Sequence, residues 1–268
     1  MLKCFYILSI YLISSCNSLH SSKNEHVVTS NNITDTLSYT YTSHRENSQY
    51  LVEQNSTIDT AFYEITYPEF KDHKINELVK PYILLDENQD ITDAGKIFIQ
   101  GYDEFVEESS TNSISFPWYK DVKTTINLNT HQILALSTFV DEYTGGAHSI
   151  HYQVFTNIDL LKNKKVKLDE FIESSEIANF TKVAEKIFRK NENLSDTASL
   201  KEDFFFENGI FAINDNFGLT KDRLIIFYNE YEIKPYAAGT TTIEIPYTAI
   251  KEMLSADGLA YIESINKL

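Results

Sequence analysis

The stretch that most restricts the fold is Tyr143-Thr144-Gly145-Gly146-Ala147-His148-Ser149-Ile150-His151. It holds the chain's one Gly-Gly pair, between alternating segments at Ile133 to Tyr143 and Ser149 to Ile158. Period-two alternation on both sides of a glycine turn is the pattern of two antiparallel strands joined by a hairpin. Gly145 and Gly146 supply the positive φ that such a turn needs, and His148 is expected to hydrogen-bond loop backbone.

The surroundings extend this hairpin into a meander. Trp118, Lys120, Val122, Thr124 and Ile126 alternate with Tyr119, Asp121, Lys123 and Thr125, and Asn129-Thr130 turns into Ile133. Lys162-Asn163-Lys164-Lys165 makes the next turn, giving four antiparallel strands. Ile177, Phe180, Val183, Ala184, Ile187 and Phe188 then share one helical face. Strands follow at Ile210 to Asn214, Leu224 to Tyr228 and Thr241 to Ile245, and a short helix at Ala249 to Leu254.

Upstream, strand signals begin near Leu37. In Ile58 to Tyr67 one face carries Ile58, Thr60 and Phe62 and the other Ala61, Tyr63, Ile65 and Tyr67, with Pro68 ending the strand. Ile75, Leu78, Val79, Tyr82 and Ile83 have helical spacing, which Pro81 is expected to kink or split. Ala94, Phe98, Tyr102, Phe105 and Val106 form a second apolar stripe with Thr92 as its N-cap. Strands and helices come in blocks, so the class is α+β: two subdomains of antiparallel sheet packed with helices, residues 37–112 and 113–268.

The first residues read as an export signal. Lys3 precedes an apolar run from Phe5 to Ile13, about half of the roughly 20 residues a spanning helix requires. The run ends at Leu12-Ile13-Ser14-Ser15-Cys16, which resembles the bacterial lipobox. The expectation is a signal peptide over 1–15, a lipidated Cys16 and a polar tether over 16–36. The protein is then a lipoprotein of the bacterial cell envelope, periplasmic or at the cell surface, with the outer membrane as one possible site of attachment. Cys4 leaves with the signal and Cys16 carries lipid, so the mature chain keeps no thiol for a disulfide. Loss of Lys3 and no acid takes the formal charge from −16 to −17. Charge of that sign repels nucleic acid and attracts cationic proteins.

The C-terminal third carries a family pattern. Leu224-Ile225-Ile226-Phe227-Tyr228-Asn229-Glu230-Tyr231-Glu232-Ile233 leads into Lys234-Pro235-Tyr236-Ala237-Ala238-Gly239 and then Ile243-Glu244-Ile245-Pro246-Tyr247. With the Tyr143 to His148 turn and Leu168-Asp169-Glu170-Phe171, this resembles the RsiV-type extracellular domain. The part around Tyr63 to Pro68 is similar to its companion, the PdaC-type N-terminal domain. The resemblance implies the fold and an envelope setting. In that family the pair occurs in an anti-sigma factor that binds lysozyme, ahead of a peptidoglycan deacetylase, and in proteins of no assigned role.

Tyr143, Gly145, Gly146, His148, His151, Tyr231 and Tyr236 are the candidate binding residues, because rigidly held loops and tyrosines concentrate at contact surfaces. Asp141, Glu142, His148 and His151 lie within eleven residues and have the chemistry of metal ligands. If the strand starts at Ser149, however, His148 and His151 point to opposite faces, and they converge only if His148 stays in the loop. No metal or cofactor is expected. The eight glycines form no dinucleotide, P-loop or nucleophile-elbow motif, and no H-E-x-x-H occurs. The Thr-Phe-Asp-Asp and His-x-x-x-His signatures of polysaccharide deacetylases are missing too. The expectation is a non-catalytic, membrane-tethered binding module for a cationic envelope protein such as lysozyme. The alternatives are a module for peptidoglycan or another glycan and a metal-dependent hydrolase at His148 and His151.

Overall fold

The computed structural model describes residues 37–54, 57–85, 90–109 and 116–268. The expected signal peptide, Cys16 and tether lie outside the described residues. A long hairpin opens the fold, β1 (Tyr39–Gln54) and β2 (Thr57–Phe70), followed by helices α1 (His73–Leu84) and α2 (Ile91–Glu108). The meander is β3 (Tyr119–Asn129), β4 (Ile133–Tyr143), β5 (Ile150–Asp159) and a two-residue β6 (Lys164–Lys165). After it come α3 (Leu168–Phe171), α4 (Ile177–Asn191), β7 (Phe217–Leu219), β8 (Arg223–Tyr228), β9 (Thr241–Pro246), α5 (Tyr247–Ile250) and α6 (Ala256–Ile265).

The class is α+β, with two sheets. The larger has six strands in the order β1-β2-β3-β4-β5-β6, and the smaller is β7-β8-β9. The larger sheet is mixed rather than wholly antiparallel, because β2 and β3 run parallel over Phe62–Thr66 and Tyr119–Lys123. This pairing joins the hairpin to the meander, so the boundary expected at 112/113 does not coincide with a break in the sheet.

Alternation along β4 divides the molecule. Leu134, Leu136 and Val140 pack with Tyr63, Ile65, Ile75, Val79 and Ile83 beneath α1 and α2. Ile133 and Ala135, on the opposite face, enter a second core with Phe171, Phe180, Phe188, Phe217 and Ile226. Further along that outer face the side chains are Ser137, Phe139, Asp141 and Tyr143, and the last three are no longer buried. The second unit therefore buries one end of the sheet and leaves the outer face toward the Gly-Gly end only partly covered.

Three asparagines make that joint. Asn216 Oδ1 accepts from Phe155 N at 2.8 Å while its Nδ2 donates to Gln153 O at 2.8 Å. Asn229 brackets Gln153 in the same way, its Oδ1 accepting from Gln153 N at 2.7 Å and its Nδ2 donating to Gln153 O at 3.1 Å. Asn157 Nδ2 donates to Phe217 O and its Oδ1 accepts from Leu219 N. Side-chain amides here stand in for a ladder along the edge of β5, which needs its backbone groups paired.

Several expectations are corrected. Pro81 does not split α1; the helix continues through it, and the carbonyl four residues back belongs to exposed Glu77, where water can satisfy it. Asp90, not Thr92, caps α2, its side chain accepting from Thr92 N at 3.0 Å. Pro68 does not end β2, which runs to Phe70; the ladder to β3 has stopped at Thr66, so only β1 is left to pair with. Ile210 to Asn214 is not a strand, and the place beside β8 is taken by β7. Ile210 is exposed, and Asn214 donates its amide to Phe227 O.

Candidate functional site

The hairpin between β4 and β5 turns on Gly145 at φ 108° and Gly146 at φ 104°. Few side chains tolerate this region, and glycine has no Cβ to strain. Tyr143 folds back over the turn, its hydroxyl donating to Gly146 O at 3.1 Å, and His148 Nδ1 donates to Ser149 O at 2.7 Å. β5 starts at Ile150, so His148 stays in the loop and the two imidazoles converge.

What they converge on is Tyr236. The His148 ring stacks on it at 4.2 Å and 19°, and His151 meets its edge at 5.8 Å and 67°. Tyr231 lies 5.5 Å from the same ring; it is 57% exposed and held at φ 65°. Asn229, bonded to Gln153 of β5, ties this loop down. Glu230 completes the cluster, with Oε1 2.8 Å from His151 Nε2 and a side chain only 11% exposed. Partial desolvation and the Glu230 carboxylate push the Tyr236 phenol up, with smaller contributions from Tyr231, Asp141 and Tyr119. Pro235, before Tyr236, is trans, as are all the described peptide bonds.

The seven candidate residues thus gather at one end of the molecule. The four candidate ligands do not form one set. Asp141 is directly opposite His151 on the outer face, whereas Glu142 faces the other way and pairs with Lys120 at 2.7 Å. Among the described residues no three of His, Cys, Asp and Glu are grouped as ligands of a metal.

Strand register adds residues that sequence reasoning missed. Phe62, Tyr119 and Tyr143 sit side by side on β2, β3 and β4, the first two rings 5.7 Å apart and the next two 6.0 Å. The next row on the same face reads Arg45, Glu64, Asp121, Asp141, His151 across five strands. Arg45 is already engaged, its Nη1 2.5 Å from Glu64 Oε2 and its guanidinium 3.9 Å above the Phe62 ring. Tyr119 OH points at Asp141 Oδ1 at 3.4 Å. Desolvation, Glu64 and Asp141 push the Asp121 carboxyl up, against the opposing pull of Lys123 and Arg45. Alternation gave the face of Asp121 but not its neighbours, because the β2–β3 register bridges two helices.

At the end of the aromatic row, where β2 runs on past the start of β3, lies a groove of about 290 Å³. Phe62, Phe116, Trp118, Tyr119 and Tyr143 line it, and Asp59 is the one charged residue on its wall among the described residues.

Residues 53–151 match the family model described as Deacetylase PdaC, and residues 159–248 match that of a protein of unknown function, DUF3298. The first match takes in β4, the Gly-Gly turn and the first two residues of β5, and the second takes in β7–β9 and the Tyr231–Tyr236 loop. The fold is similar to the crystal structure of a DUF3298 family member from Bacteroides fragilis (TM-score 0.64, 21% identity, covering 87% of this chain and 100% of that one). It is also similar to a DUF3298 family protein from Pseudomonas aeruginosa (TM-score 0.56, 16% identity, covering 80% of this chain and 94% of that one). No curated protein matches the chain. At these identities the structural likeness speaks for the fold alone.

Proposed function

We propose that this chain, PdaC-like over 53–151 and DUF3298-like over 159–248, is a non-catalytic binding module. In this reading it is held at a bacterial envelope membrane by lipid on Cys16 and takes a cationic envelope protein such as lysozyme on the open end of its large sheet. No helix among the described residues is long and apolar enough to cross a membrane; in this reading two or more acyl chains on Cys16 supply the attachment.

The observation that carries the reading is the carboxylate row Glu64, Asp121, Asp141 beside the aromatic row. Like charges set opposite each other in a sheet are destabilising. The cations nearest Asp121, Lys123 and Arg45, leave its carboxyl still displaced upward. An arrangement that costs the free protein something and is relieved by incoming positive charge suits a cationic partner. The chain's −16 charge would speed encounter. A glycan-binding reading draws on the aromatic row alone and asks for nothing from the acids.

The test is retention of a cationic muramidase and of purified peptidoglycan by the full chain, at about 50 mM and about 500 mM salt. The proposal expects the muramidase to be held at low salt and released at high salt. Salt-indifferent retention of peptidoglycan, with no muramidase bound, would favour the glycan reading instead.

A further inference from the structure

We propose that the 290 Å³ groove at the end of the aromatic row receives a single lysine or arginine side chain. Its aromatic walls would take the methylene stem and Asp59 the charge. This deepens the reading of the outer face as a binding surface for a cationic protein, and rests on it.

The molecule contains its own precedent. Arg45 lies over the ring of Phe62 while bonded to Glu64, a cation held between an aromatic face and a carboxylate. The groove repeats two of those three parts. Phe62, Phe116 and Trp118 provide apolar wall, Asp59 provides the carboxylate, and among the described residues no Lys or Arg lines it. The Asp59 carboxylate accepts one backbone N–H, from Thr60 at 2.8 Å, and has no cationic partner among the described residues. Two hydroxyls at the rim are already directed elsewhere, Tyr119 toward Asp141 and Tyr143 to Gly146 O. A sugar ring, which carries several hydroxyls, would find few free partners on these tyrosines. A long alkyl stem ending in one positive charge needs only apolar wall and one acid. Phe116 is 54% exposed at the mouth, so its ring is open to an arriving side chain.

The experiment uses the chain's sole tryptophan, Trp118, which lines the groove. Its fluorescence is followed while the full chain is titrated with N-acetyl-arginine amide, N-acetyl-lysine amide, N-acetyl-norleucine amide and chitotriose. The expected result is a saturable change with the two cationic amides and about tenfold weaker binding of the uncharged norleucine amide. Asp59→Asn should erase that tenfold preference, and Phe116→Ala should weaken all three amides. Both positions are exposed, so the variants are expected to fold. Equal binding of norleucine amide, saturation by chitotriose alone, or no change with any probe would each overturn the assignment. Failure of the broader reading looks different. If the groove prefers cationic amides but the chain retains no cationic protein, the groove stands and that reading falls. If a cationic protein is retained equally well by Asp59→Asn and Phe116→Ala, the reading stands and the groove falls.

Discussion

Asp121 is where the proposed function has its clearest cost. Its carboxyl is displaced upward by desolvation and by Glu64 and Asp141. A carboxylate whose folded pKa lies above its unfolded value penalises the fold once pH exceeds the folded pKa, and the penalty fades as pH falls toward the unfolded one. Asp121→Asn should therefore stabilise the free chain at neutral pH, by about 0.5 kcal/mol or less because the site is exposed, and the gain should fade as pH falls and be lost by about pH 4. Thermal melts at the two pH values measure this. The same substitution should weaken a cationic partner, opposite in sign to its effect on stability. Gly145→Ala and Gly146→Ala make a separate prediction. A Cβ at either position meets nothing within 4 Å, so the cost of each, roughly 1–2 kcal/mol in a denaturant titration, comes from backbone strain alone. The turn glycines, Tyr143 and the two histidines were legible because a hairpin announces itself locally. Glu64 and Asp121 were not, since what aligns them is a parallel register between segments about 50 residues apart in sequence.

The element that holds the site together is the edge of β5. Asn216 and Asn229 satisfy its backbone at Gln153 and Phe155, and Asn157, buried, pins β7. Removing the Asn157 amide leaves Leu219 N and Phe217 O buried without partners, so Asn157→Ala should cost about 2–3 kcal/mol. Hydrogen exchange should report it first at the amide of Leu219. Gly218 tests the same joint sterically. A Cβ there would lie 2.3 Å from Phe155 Cδ1, so Gly218→Ala must push the two sheets apart, at a cost of about 1–3 kcal/mol. The strands β4, β5, β8 and β9 and the helix α4 were readable because their apolar periodicity is long and unbroken. β7 was not: three residues centred on a glycine carry no period, and their strand character comes only from β8 and Asn157. Pro68 and Pro81 misled for a related reason. Whether a proline breaks an element depends on what becomes of the acceptor it leaves unpaired, exposed Glu77 O for Pro81, and on which neighbouring strand is still there to pair, which the local sequence does not show.

For the whole molecule, the shared sheet matters more than the two family matches. β2 pairs with β3, and α1 and α2 cover Val122, Leu134, Leu136 and Val140 of the meander. Separate pieces 37–112 and 113–268 should each expose that core, so neither is expected to show a cooperative melt alone, while mixing them should restore one, as circular dichroism would report. One sheet face thus serves as core at one end and as open surface at the other, and the acids and aromatics of the candidate site lie where cover ends. The most direct test of this account is the affinity of the full chain for a cationic muramidase, measured calorimetrically at about 50 mM and about 500 mM salt for the natural sequence and for the Asp121→Asn, Asp141→Asn pair. The account predicts at least about a tenfold loss of affinity with salt and a similar loss on removing the two acids at low salt. Affinity indifferent to both, or no binding at either salt, would contradict it.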